Sequence, residues 1–194
     1  MKQIIFVTGN GMKVRHANEA LVGTDFELIA QKLDIIEPRA EDPKDVVIEK
    51  ALQAIKLVNK PLIVEDSGIF IDYLNGFPKT FVHFAEETIG VKNIVKIMKG
   101  VTNRNAEFRQ SLAYIEPEMK EPIVFNYIDE NYTVADKVWE PQFEETDDFD
   151  KILIPQGESR PLCMFDKVWR AKRDIEANKE TIHYRQLAKW LNGR

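Results

Sequence analysis

Three polar stretches cut into otherwise apolar segments of the chain, and their side chains suit an anion and a hard cation. The first is Thr8-Gly9-Asn10-Gly11-Met12-Lys13. Its two glycines permit a tight turn and close approach of a ligand, Asn10 offers amide donors, and Lys13 follows within one helical turn. Backbone N–H groups leaving such a turn suit a phosphate. The spacing is not that of the GxxxxGK[ST] loop, and an ordinary strand–helix turn carries similar residues. The second stretch is Glu65-Asp66-Ser67-Gly68, set inside an apolar run. Two adjacent carboxylates there carry a large desolvation penalty unless partnered. A lysine or a divalent cation answers that penalty, and Mg²⁺ prefers carboxylate oxygen while keeping several waters. A surface turn at a strand end is the plainer alternative. The third stretch is the acidic loop with Glu37, followed by Lys50 in the next helical segment; alone, such a loop is simply solvated.

The elements that must position these residues follow from periodicity. Residues 3–8 form a short apolar run with β-branched members, the pattern of a buried strand. Val14, Ala17 and Leu21 recur at helical spacing, which predicts a helix from Gly11 or Met12. A strand is expected within 26–36, running into the acidic loop. Asp42-Pro43 opens a helix, Asp as N-cap and Pro in the first turn, with Val47, Ala51, Ala54, Ile55 and Val58 on one face. Residues 61–72 read as a third strand, interrupted by the Glu-Asp-Ser-Gly stretch. Val91, Ile94, Val95 and Met98 predict another helix. Residues 106–117, 122–129 and 131–138 read as successive strands of an antiparallel lobe, and Tyr184, Leu187, Ala188 and Leu191 mark a last helix. Alternating strands and helices predict an α/β fold. Two lobes on a mixed sheet, partly parallel and partly antiparallel and flanked by helices, are expected to share a central cleft.

Composition narrows the function classes. The 194 residues fit a single domain spanning 1–194, large enough to bury roughly 70% of the unfolded chain's surface. Apolar residues at 44% and charged ones at 30% give an ordinary globular balance. The lone Cys163 excludes an intramolecular disulfide and suits a reducing compartment; it reads as a packed side chain rather than a nucleophile. The net charge of −5 opposes nucleic-acid binding, which leaves the basic run 167–173 as a solvated surface segment. The apolar run at the N-terminus is too short for a signal peptide or a membrane span. A cytoplasmic protein with neither membrane nor nucleic-acid partner is the expectation.

In order along the chain, these stretches resemble the Ham1-like family, the inosine/xanthosine triphosphate pyrophosphatases. Residues 7–13, VTGNGMK, resemble its triphosphate-gripping TGNxxK motif; KLDIIEP at 32–38 is similar to its loop with a metal-binding glutamate. IEKALQA at 48–54 resembles the helix that carries a lysine, and LIVEDSGIFIDYLNGFP at 62–78 resembles the VED[ST] strand with its following turn. The likeness runs from residue 4 to about 98 and more weakly to the end. It departs where the family closes a Phe-Gly-Trp/Tyr-Asp-Pro loop over the base, since this chain has Phe149-Asp150-Lys151-Ile152-Leu153-Ile154-Pro155. The family's terminal Ser-His-Arg becomes His183-Tyr184-Arg185, with Lys179 retained.

The resemblance implies hydrolysis of non-standard purine nucleoside triphosphates (ITP, dITP, XTP) to the monophosphate and pyrophosphate, with Mg²⁺ as cofactor, Mn²⁺ as its alternative, and a homodimeric assembly. It implies metal binding by Glu37 and Asp66, with Asp66 as base and Glu65 and Lys50 as further catalytic groups. Thr8, Gly9, Asn10, Lys13 and Ser67 are then expected to hold the phosphates. Phe149 is expected to stack on the base, and Asp150, Lys179, Tyr184 and Arg185 to read its edge. Alternatives are a pyrophosphatase for a different modified nucleotide, a nucleotide-binding protein that has lost catalysis, and a nucleic-acid binder relying on 167–173.

Overall fold

The alternation of side chains along the first strand decides what surrounds it. In a strand, successive side chains point to opposite faces, and every residue from Ile4 to Val7 is buried. The strand must therefore be covered on both sides. A computed structural model, which describes residues 2–143, 146–178 and 182–193, shows that cover. Strand β1 (Lys2–Val7) sends Ile4 and Phe6 into one core with helices α1 (Gly11–Leu21) and α6 (His183–Asn192). It sends Ile5 and Val7 into a second core with α2 (Pro43–Val58). Strand β3 (Leu62–Ile71) repeats the division, with Ile63 in the first core and Leu62 and Val64 in the second.

Among the described residues the sheet has seven strands. Besides β1 and β3 these are β2 (Phe26–Gln31), β4 (Pro78–Lys79), β5 (Asn105–Ile115), β6 (Ile123–Val134) and β7 (Leu153–Pro155). Their order is β2-β1-β3-β5-β6-β7, with β4 paired to β3. Strand β1 runs parallel to β2 and β3, whereas β4 pairs antiparallel with β3 and β7 antiparallel with β6. The sheet is thus mixed, as the sequence pattern predicts. The remaining helices are α3 (Val82–Thr88), α4 (Val91–Ile97) and α5 (Lys167–Asn178). None of the described helices is long and apolar enough to cross a membrane.

Two compact units divide the chain. The first comprises Met1–Ser67, Gln110–Tyr127 and Lys179–Arg194, and the second Gly68–Arg109 and Ile128–Asn178. The first contains the two cores around β1. The second has its own core, in which Ile69 and Ile71 of β3 pack with Ile94, Met98, Val134, Phe149, Ile152 and Leu153.

Three sequence expectations change here, and one helix appears that the sequence did not predict. The Glu-Asp-Ser-Gly stretch does not interrupt β3, because its side chains leave alternately and the backbone ladder continues beneath them. The strands expected at 122–129 and 131–138 are one strand, β6, with no turn between them. Helix α3 is short and half-exposed, with Ala85 its buried residue, and so carries too little apolar periodicity to be read. The basic run 167–173 is the first part of helix α5, and two of its arginines are ion-paired to acids of the second unit.

Candidate active site

Alternation along β3 also fixes what its two carboxylates meet. Glu65 follows Val64, so it turns to the face occupied by α1 and α6, and Asp66 turns to the face of α2. Lys13 of α1 meets the first and Lys50 of α2 meets the second. Lys13 Nζ lies 2.5 Å from Glu65 Oε2 and also donates to the Glu65 backbone carbonyl at 3.3 Å. Lys50 Nζ lies 2.9 Å from Glu37 Oε1 and 3.4 Å from Asp66 Oδ1. The adjacent acids are therefore not a side-by-side pair: each faces its own lysine from a different helix. Glu65 is 6% exposed, Asp66 is half-buried, and Glu37 sits on an exposed loop.

The glycine turn is held by its own side chains. Thr8 Oγ1 accepts from the Asn10 N–H at 3.0 Å, and Asn10 Oδ1 caps α1 by accepting from the N–H groups of Met12 (2.9 Å) and Lys13 (3.3 Å). These bonds fix the entry of α1 and bring Lys13 over Glu65. The β1–β3 register pairs Phe6 with Ile63, and continued by two residues it sets Thr8 level with Glu65. The turn thus lies at the carboxyl ends of parallel strands, where open α/β sheets place their ligands. Ser67 follows on β3, partly exposed.

Electrostatics separates the two acids further. Burial raises the Asp66 carboxyl to about 6, the ammonium groups of Lys50 and Lys13 pull it down, and Glu65 and Glu37 push it up again. Asp66 thus changes protonation state close to neutrality, as a general base must. Burial works against the Lys13 ammonium, yet Glu65, with smaller contributions from Asp66 and Glu37, outweighs it and raises the pKa.

Beneath Glu65 lies a group that the sequence did not single out. His183 is 2% exposed, with Nε2 3.9 Å from Glu65 Oε1, and neither ring nitrogen has a hydrogen-bond partner. Burial lowers its pKa to about 4, against a raising contribution from Glu65, so it is neutral at physiological pH. The available signal was its place on the apolar stripe of α6, one turn before Leu187 and two before Leu191.

The residues expected to meet a base are placed differently. Tyr184 is 5% exposed and packs edge-on against Phe6, so its ring belongs to a core rather than to an open surface. Phe149 is 1% exposed within the second unit's core, which leaves no ring face for stacking. The carboxylate of Asp150 is held through Oδ2 by Arg170 Nη1 at 2.8 Å, so one of its oxygens is already committed to an arginine. Burial raises the Asp150 pKa, and Arg170 acts against that rise. Arg185 is exposed, and Lys179 lies outside the described residues. Thr8, Gly9, Asn10, Lys13, Glu37, Lys50, Glu65, Asp66 and Ser67 all fall within the first unit.

A strand-end glycine turn with two lysine–carboxylate systems on opposite faces of one strand is the frame against which known proteins compare. The Ham1 family profile matches residues 4–175. The chain belongs to the Ham1 family. It is 34% identical to a dITP/XTP pyrophosphatase of Methanopyrus kandleri over 80% of each chain. It is 27% identical to one of Ignicoccus hospitalis, over 99% of this chain and 98% of that protein. An inosine triphosphate pyrophosphatase of Yarrowia lipolytica is 29% identical over 79% of each. A Ham1 protein from Coxiella burnetii superposes with a TM-score of 0.78 over the full length of both chains, at 21% identity. The Coxiella protein shares the fold, and the span matched by the family profile includes the glycine turn, Glu37, Lys50, Glu65 and Asp66.

The Ham1 chain's acids also bear on a metal. Among the described residues no group of three or more His, Cys, Asp or Glu side chains converges as a self-sufficient metal cage. What does converge is two hard carboxylate oxygens, from Glu37 and Asp66, on the single Lys50 ammonium. That donor set fits Mg²⁺, which takes one or two carboxylates and completes its shell with water and substrate phosphate.

Proposed function

We propose that this chain hydrolyses non-standard purine nucleoside triphosphates, of the ITP, dITP and XTP type, to the nucleoside monophosphate and pyrophosphate. The observation that carries the reading is Asp66: a half-buried carboxylate that titrates near neutrality, beside a glycine turn suited to phosphate. The names borne by the curated relatives point the same way.

The residues divide the work as follows. Thr8, Gly9, Asn10 and Ser67 receive the phosphates, and Lys13, held in place by Glu65, presents its charge at the turn. Asp66 accepts a proton from water as the water oxygen bonds to the α-phosphorus. The bond from the α-phosphorus to the bridging oxygen breaks, and its electron pair leaves with pyrophosphate. Lys50 keeps Asp66 and Glu37 oriented. Mg²⁺, with Mn²⁺ as its alternative, would be held by Glu37 and Asp66 and would neutralise charge building on the leaving group.

One observation favours a second reading within the same chemistry. Phe149 and Tyr184 are both buried, so the contacts expected to select a 6-oxo purine are not presented as expected, and a different modified base is then the substrate. The reading also includes a cytoplasmic location and a homodimer, and light scattering of the purified chain checks the second. The test of function is pyrophosphate release with Mg²⁺ from ITP, dITP, XTP and the four standard triphosphates, alongside Asp66→Asn. Release confined to the inosine and xanthosine compounds, and lost in the variant, supports the first reading. No release from any of these seven triphosphates sinks the first reading, and the second is then tested by pyrophosphate release from a triphosphate of a different modified base.

A further inference from the structure

The charges of the site leave one requirement open. Glu37, Glu65 and Asp66 contribute three negative charges, and Lys13 and Lys50 contribute two positive ones, already engaged with those acids. The side chains of the group alone are one charge negative, and both lysines are committed to its acids. An unengaged cation near the turn would correct the balance.

Lys32 meets that description. It follows β2 directly, and the β1–β2 register pairs Val7 with Gln31, while the Thr8 N–H donates to the Gln31 carbonyl at 3.2 Å. Lys32 is therefore level with Thr8, on the side of the turn away from β3 and Glu65. Its methylenes lie across Gly9: a Cβ added there would sit 3.6 Å from Lys32 Cδ and 3.9 Å from its Cε. The absent side chain at Gly9 thus leaves the surface along which the Lys32 stem runs. The residue is exposed, and its ammonium makes no ion pair or hydrogen bond with the described residues. Lys13 and Lys50 stand on the acid side of the turn; Lys32 stands opposite them with its charge uncommitted.

We propose that Lys32 is a further triphosphate-binding residue, closing the glycine turn from the β2 side against the phosphates. The inference rests on the nucleotide reading above. It assigns Lys32 to binding rather than to chemistry, because nothing couples it to Asp66.

The test is calorimetric titration of inorganic triphosphate, in one Mg²⁺ buffer, into wild type, Lys32→Met, Lys32→Arg and Lys60→Met. Methionine keeps an apolar stem over Gly9 and removes the charge, and Lys60 precedes β3 at the opposite end of the strand. The expected result is an affinity about tenfold weaker in Lys32→Met, near wild type in Lys32→Arg and unchanged in Lys60→Met. The difference should shrink as salt is raised. With nucleotide, KM should rise by a similar factor while kcat holds. Equal affinity of Lys32→Met and wild type, or no binding by wild type, overturns the assignment. The two failures are separable: an active wild type with an unaffected Lys32→Met removes Lys32 and leaves the function, whereas an inactive wild type that binds triphosphate through Lys32 removes the function and leaves the site.

Discussion

In the first unit Glu65 and Asp66 are met by lysines, whereas in the second Asp150 and Asp129 are met by arginines, and the two kinds of partner are anchored differently. Arg170 holds Asp150 with one arm while donating to the Leu162 carbonyl at 2.8 Å with another. Arg173 holds Asp129 and the Tyr132 hydroxyl together, its guanidinium lying over the Tyr132 ring. Each arginine thereby joins an acid to a second fixed group, and its planar fork suits that use. Among the described residues Lys50 holds two carboxylates and no backbone group. A lysine is a point charge that a ligand can share or take over without moving backbone. The second unit uses these ion pairs to hold its fold; the first keeps its Lys50 pairs available for exchange, while Lys13 is anchored to the Glu65 backbone carbonyl as well.

The largest test of that contrast is Asp66→Asn. With Asp66 as base, turnover should fall about a thousandfold while the denaturation midpoint stays near wild type. In the wild type, kcat/KM should climb and level off above about pH 6, where Asp66 is ionised. A variant that unfolds instead of losing turnover breaks the contrast. Next comes Asp150→Ala, which strands Arg170 in a half-buried setting. Breaking such a pair costs about 3 kcal/mol once the partial exposure of Arg170 is allowed for, measurable by urea denaturation; a neutral result would place Asp150 among the exchangeable charges.

His183 gives a pH test of similar or smaller size. Its pKa falls from an ordinary 6.5 to about 4 on burial, so between those values the unfolded chain binds more protons. Its stabilising contribution is complete above pH 6.5 and is lost as pH falls through 4, on the order of 3 kcal/mol in all. Asp66, whose pKa is raised, acts in the opposite sense between about pH 4 and 6. Acid titration of His183→Phe should show a flatter loss of stability than wild type, and an identical curve would remove His183 as its cause. The smallest effect is expected from Gly68→Ala, where a Cβ would lie 2.6 Å from the Lys79 carbonyl oxygen. Strand β4 must shift, at about 1 to 2 kcal/mol. A loss of turnover larger than the loss of stability would show that the placing of Asp66 is set there.

Much of the first unit was legible because its signals are local. The apolar run before Thr8, the Asp42-Pro43 opening and the stripes of α1, α2 and α6 each follow from period and capping. The sequence also marked Glu37, Lys50, Glu65 and Asp66, though not that Glu65 and Asp66 diverge; the strand period alone implies it once β3 is taken as unbroken. His183 was hidden because the 183–185 segment resembles a terminal Ser-His-Arg motif, in which this position is a serine. The second unit was less legible. Helix α3 has almost no buried face, and α5 reads as a basic surface run because Asp150 and Asp129, which engage its arginines, lie 20 and 44 residues away in sequence. Phe149 and Asp150 were assigned by likeness to a loop whose glycine and second aromatic residue this chain lacks, and packing took them elsewhere.

The chain's division into units has a consequence for how such a protein can be inherited. Three of the passages between units fall inside strands β3, β5 and β6, and the fourth follows α5. No single segment of the gene encodes either unit whole. Exchange of either unit between related genes would cut through strands β3, β5 and β6 and join part of each from a different parent. Neither unit can then be traded as a cassette, and drift in one must be matched residue by residue along the shared strands.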